Sequence, residues 1–242
     1  MYVLPLAVAA VGFIFLGAGT RPLASGAPYV DAPVAAAVEP AAGEVSLADL
    51  TEVGIAAQVD VGWLTTESAK TQIPPRALQA YAGAELALGR DNPSCHLSWN
   101  TLAAIGWIES GHGGHTDSVL NSDGTTSHPI IGPALDGSDG HSAIRATDAT
   151  SRATGDPSWD HAVGPMQFIG STWARWGEDA SGDGFADPNN IDDASLTAGR
   201  YLCAGGRDLS TGEGWTKAIG SYNHSGSYID AVRTAANDYA FK

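Results

Sequence analysis

The sequence predicts a mainly α-helical domain with long irregular loops and little sheet. Segments at about 75–88, 99–110, 192–204, 215–222 and 225–239 carry helix-forming residues between recognisable start and stop signals. No segment alternates apolar and polar residues as a half-buried strand does. The stretch from His115 to Asp160 is rich in Asp, Ser, Thr and Gly without periodicity, which predicts a long, exposed, irregular connection. Connections of that length within a compact domain are usually functional or disordered.

At the N-terminus, Val3 to Leu16 form an almost unbroken apolar run, followed by Arg21 and the small-residue stretch LASGA. The pattern predicts a signal peptide over 1–27, or an uncleaved membrane anchor through residues 3–19, and in either case an exported protein. Residues 28–72, rich in Ala, Val, Pro and Glu without a strong period, read as a flexible tether. The folded domain is expected over 73–242. Pro74 and Pro75 suit the first turn of its first helix, and Ser98 is a good N-cap for the second, WNTLAAIGWIES, which Gly111, Gly113 and Gly114 stop. Cys95 and Cys203 are an even pair in an exported chain, which predicts a disulfide, the alternative being two buried free thiols. Closing a loop of about 100 residues would stabilise the domain by roughly 4–5 kcal/mol.

Of 242 residues, 43% are hydrophobic, enough for one sizeable core. Acidic residues outnumber basic ones 27 to 12, a net charge of −15. A phosphate backbone or an anionic membrane surface would have to overcome that field, so nucleic acid is excluded as a partner, and a neutral or mildly charged substrate or bound cations fit better.

Glu109 lies where the second helix ends. Helical spacing puts it on the face of Leu102 and Ile105, with Gly106 three residues back. Desolvation raises a carboxyl pKa, and the negative end of the helix dipole acts in the same direction. A carboxyl held in its acid form near neutrality can donate a proton to a glycosidic oxygen. The alternative is an ordinary glutamate at a helix end, facing water. Further along, GPMQF at 164–168 sets a restricted Gly-Pro before the amide of Gln167, and SYN at 221–223 supplies a ring or phenol at Tyr222 and an amide at Asn223.

Taken in order, Glu109-Ser110-Gly111, Gly164-Pro165-Met166-Gln167-Phe168 and Ser221-Tyr222-Asn223 resemble the lytic transglycosylases of bacterial cell-wall metabolism, nearest to the branch of membrane-bound lytic murein transglycosylase B, over residues 73–242. The resemblance implies a lysozyme-like domain that acts as a monomer, with no required cofactor, on peptidoglycan glycan strands. It would cleave the β-1,4 bond between N-acetylmuramic acid and N-acetylglucosamine. Glu109 would be the single catalytic residue, with Ser110, His112, Met166, Gln167, Phe168, Tyr222 and Asn223 at the substrate groove. Most glycosidases need two carboxylates. In the family mechanism one suffices, because the muramic acid's own 6-hydroxyl attacks C1 and leaves a 1,6-anhydro end.

The chain departs from the pattern at His112, where an aromatic residue is expected. Asp117, Asp123, Asp136, Asp139, Asp148 and Asp160 in the long loop leave open a hydrolytic muramidase in which one of them holds a water. A third alternative is a cell-wall-binding module without catalysis.

DASGDGFADPNN places Asp179, Ser181, Asp183 and Asp187 at the oxygen spacing of an EF-hand loop, with Gly184 at its turn but Asn190 where a bidentate Glu belongs. This predicts either a weak structural calcium site or an Asp/Gly turn capping the next helix. The seven histidines include no zinc spacing.

Overall fold

A computed structural model describes residues 31–41, 54–138 and 142–242. The expected signal or anchor, residues 28–30 and 42–53 of the expected tether, and Asp139 lie outside the described residues. Among the described residues there are eight α-helices: α1 Val61–Thr71, α2 Pro75–Asp91, α3 Trp99–Ser110, α4 Asp148–Thr154, α5 Gly170–Trp176, α6 Ile191–Leu202, α7 Gly212–Tyr222 and α8 Gly226–Ala240. Two short strands, β1 Ile131–Ala134 and β2 His161–Val163, pair antiparallel with an irregular register. No helix among them is long and apolar enough to cross a membrane.

α3 is the central element. Ten of its twelve residues are buried, so it carries an apolar surface nearly all round and has to be enclosed by its neighbours. α2 packs on one side through an almost continuous small-residue face, Ala77, Ala80, Ala82, Gly83, Ala84 and Ala87, with Leu78 and Tyr81 filling the space between. α8 packs on another side through Tyr228, Ile229, Val232 and Ala236. α6 lies against α2, and the Cys95–Cys203 disulfide joins the end of α6 to the turn before α3, closing a sequence separation of 108. Each large side chain fully enclosed here, such as Trp99, Trp215 or Phe168, contributes roughly 1.5–3 kcal/mol from apolar burial.

The tether expected over 28–72 is not one in its described parts, and the domain begins before Ile73. α1 is capped by Asp60, whose Oδ1 accepts the Trp63 N–H at 2.8 Å, and it sends Leu64 into the core. A 3-10 turn at Ile55–Gln58 buries Ile55 beneath α2. Residues 31–41 run extended across the start of α3. The buried Asn100 amide donates to the Val34 carbonyl at 2.9 Å, Trp99 Nε1 donates to the Ala37 carbonyl, and Asn237 Oδ1 accepts the Val34 N–H. Side-chain amides supply the hydrogen bonds that an extended strap cannot make internally, and nothing in the strap's own Ala/Pro composition announces that.

The N-cap of α3 also differs from expectation. Ser98 occupies the position but makes no capping bond. It turns to Asn100 and the strap, while Glu85 from α2 accepts the Trp99 N–H at 2.6 Å. Burial raises the Glu85 carboxyl to about 7 against the lowering effect of that bond. The region 115–160 is not a bare loop: Leu135, Ala162 and Ile169 form a small second core with Ile144 packed on it, and Thr147 starts α4 with a capping box to Thr150.

Candidate active site

Glu109 is the penultimate residue of α3, and only 1% of its surface is exposed. It is placed by a sharp reversal immediately after it. Gly111, His112 and Gly113 all have positive φ (58°, 61° and 83°), the Gly111 N–H donates to Trp107 O at 2.9 Å, and the His112 N–H donates to Gly106 O at 3.0 Å. A left-handed conformation is costly for a histidine and is held by its surroundings. His112 is itself buried, with Nδ1 3.2 Å from the Tyr81 hydroxyl and Nε2 3.0 Å from the Tyr239 hydroxyl. Burial pushes its imidazole down to about 3, so it is neutral and serves as an internal strut between α2 and α8. The substrate-facing role expected for His112 is therefore corrected.

The Glu109 carboxyl has one described partner. The Tyr228 hydroxyl, from α8, donates to Oε1 at 2.5 Å, and Oε2 is buried without a hydrogen bond. Burial raises the carboxyl to about 8, and the Tyr228 bond opposes that rise. The phenols of Tyr228 and Tyr222 are in turn held well above their usual range, by burial first and by the nearby Glu109 charge second. Gly106, three residues back on the same helix face, sits tight against α2 and the 164–168 segment. A Cβ at that position would collide with the Tyr81 hydroxyl and crowd Met166 Sδ.

The three sequence motifs meet in space. Ser110 Oγ donates to Pro165 O at 2.6 Å and accepts the Gly113 N–H at 2.7 Å, tying the end of α3 to GPMQF. The Tyr222 hydroxyl donates to Met166 O at 2.7 Å, tying the end of α7 to the same segment. Phe168 stacks edge-on against Tyr222, with ring centroids 5.9 Å apart. Gly164 (φ 79°) and Gln167 (φ 50°) bracket a tight turn in which Gln167 Nε2 donates to Gly164 O at 2.9 Å and to Ile130 O at 3.3 Å.

Met166, Gln167, Phe168 and Tyr222 are all buried, as Glu109 is, and pack together around the end of α3. The reason is elementary: the aromatic rings and the thioether gain more from mutual burial than from solvent, and the Gln167 amide donates to the carbonyls of Gly164 and Ile130. Asn223, half-buried, ends α7, and its Oδ1 accepts the Ser225 N–H at 2.9 Å at the start of α8. Sequence reasoning missed Tyr228. The SYNHSGSY pattern contains it, six residues after Tyr222, but only the α8 packing turns it to Glu109.

Among the loop aspartates, Asp160 is buried and committed, with Oδ1 accepting the His161 N–H and Oδ2 the Gly170 N–H. Asp123 bonds to Thr125. None of the described ones is hydrogen-bonded to Glu109.

The loop at 179–190 is closed by its own donors. Asp179 accepts the Gly182 and Gly184 N–H groups, Asp183 that of Phe185, and Asp187 that of Asn189; the Ser181 hydroxyl turns to Asp179. Asp193, at the start of α6, accepts from Ala180, Ser181 and Asp187 and organises the whole turn. The segment forms a hydrogen-bonded turn that leads into α6. No three His, Cys, Asp or Glu side chains converge on a metal position among the described residues.

No known protein family, characterised protein or solved structure matches this chain.

Proposed function

We propose that the protein is a peptidoglycan lytic transglycosylase with a lysozyme-like domain, in which Glu109 is the sole general acid and base. One observation carries the reading: a carboxyl sealed at the end of α3, with its proton affinity raised and Oε2 unpartnered, lies where the three motifs of the resemblance converge.

In its acid form Glu109 donates its proton to the glycosidic oxygen, and the C1–O bond breaks as the N-acetylglucosamine end leaves with that proton. The carboxylate then takes the proton of the muramic 6-hydroxyl as O6 bonds to C1. Glu109 ends as it began and no water is consumed. A group that acts first as acid and then as base works best when its pKa lies near the working pH, which a value of about 8 provides. Because Glu109 is enclosed, the residues over it part when a strand binds.

Digestion of purified peptidoglycan followed by mass spectrometry tests the reading. Anhydro muropeptides lighter by one water than hydrolysis products are expected, and their loss in Glu109→Gln. Products carrying the extra water would assign a muramidase instead. The enclosure of Glu109 favours a second reading, a wall-binding module without turnover. Under it, the protein sediments with peptidoglycan and releases nothing soluble.

A further inference from the structure

We infer that Tyr228 is the positioning residue of Glu109: by donating its only hydroxyl proton to Oε1, it fixes Oε2 as the oxygen that delivers and later recovers the transferred proton. The inference rests on the transglycosylase reading and deepens it.

The argument is one of hydrogen-bond inventory. A phenol has one O–H to donate, and here it goes to Oε1 at 2.5 Å. Oε1 accepts this bond in either protonation state, which leaves Oε2 as the oxygen free to carry the acidic proton when Glu109 is neutral. Oε2 is buried and has no partner among the described residues. Buried polar atoms are almost always satisfied, and an exception at a candidate site marks a place reserved for something that arrives. Tyr228 is itself 1% exposed and fixed by the packing of α8 on α3, so the carboxyl cannot rotate to exchange its two oxygens without breaking that bond. The same donor stabilises the carboxylate once the proton has left, which suits a group that must spend part of each turnover ionised.

His112, three residues after Glu109, does not compete for this role. Its two ring nitrogens face the Tyr81 and Tyr239 hydroxyls. Tyr222 is likewise committed to Met166 O.

The test is Tyr228→Phe, which keeps the ring and removes the hydroxyl. The expected kcat is lower by about tenfold, the rate equivalent of one hydrogen bond to a charged group, with KM nearly unchanged. The falling limb of the kcat/KM pH profile should move to higher pH, because Glu109 loses the donor that favoured its carboxylate. A limb that stays in place, or a change confined to KM, would overturn the inference. A direct measurement serves whether or not the variant folds and whether or not the enzyme reading holds. In the wild-type chain labelled with 13C at glutamate carboxyls, the Glu109 carboxyl signal and the Tyr228 hydroxyl proton signal should shift about one common pH midpoint, that of Glu109, in the absence of substrate, with the Oε1 bond slow to exchange. Independent titration, or a freely exchanging Tyr228 hydroxyl, sinks the positioning role. Co-titration without any muropeptide release leaves the pairing intact and removes the transglycosylase reading instead.

Discussion

Two carboxylates a short distance apart in the sequence of elements meet opposite fates in this fold. Asp193 lies at the start of α6 with three backbone N–H groups on its two oxygens. Glu109 lies at the end of α3 with a single phenol on one oxygen and nothing on the other. Both are buried. Asp193 has exchanged water for three donors at a helix N-terminus, where the dipole also favours negative charge, and these hold the rise that burial causes to about 6. Glu109 has exchanged water for the Tyr228 hydroxyl and a buried surrounding that includes Tyr222, at a C-terminus, where the dipole opposes charge. The lesson is that count and clustering of acidic residues say little about protonation; what surrounds each carboxyl decides it.

Replacing each carboxylate should separate their roles. Asp193→Ala orphans three N–H groups around the 179–190 turn and is expected to destabilise the domain by about 3–5 kcal/mol, read by denaturant unfolding. A small loss would mean the turn re-forms on water. Glu109→Gln should do the reverse, leaving the fold intact while lowering turnover by at least ~10²-fold, assayed by muropeptide release. Near-normal turnover would end the claim for Glu109.

The contrast has a pH signature. The Glu109 acid is raised from 4.5 to about 8 in the folded chain. Between those values the unfolded chain has released the proton and the folded chain has kept it, so folding stability is full below about pH 4.5 and declines as pH rises to about 8. The difference between wild-type and Glu109→Gln melting temperatures, measured across this window, should therefore widen in favour of the variant at higher pH. A flat difference would show that the carboxyl is not held in its acid form.

A smaller effect is expected at Gly106. Gly106→Ala presses a methyl against Tyr81 and should cost about 1–3 kcal/mol in thermal unfolding, because α2 and α3 must separate slightly. Smallest of all, millimolar calcium should leave the melting temperature unchanged, since the loop carboxylates already hold their own N–H donors. A clear upward shift would restore the calcium reading of Asp179, Ser181, Asp183 and Asp187.

Much of the helical framework is legible from residue type. α2 begins where Pro74 and Pro75 announce it, and α3 ends at Gly111. α8 starts after Ser225 and the disulfide joins the expected cysteines. What escapes is whatever depends on a distant partner. α1 buries only Leu64 and Thr71, too little to print a period on its sequence, and the 31–41 strap is ordered by Asn100, Trp99 and Asn237 and not by itself. β1 and β2, at four and three residues, are too short to alternate visibly.

The sequence by itself determined that Glu109 would share a helix face with Leu102 and Ile105 at a glycine stop, because helical periodicity is a local property. Only the tertiary structure decided that α8 would bring Tyr228 to one carboxyl oxygen and leave the other bare, and that His112 would turn inward between two tyrosines. It also decided that the motif side chains would be buried together. Hydrogen-bond partners and exclusion of water are set by chain segments more than a hundred residues apart, as Glu109 and Tyr228 are at a separation of 119, and no local pattern encodes them.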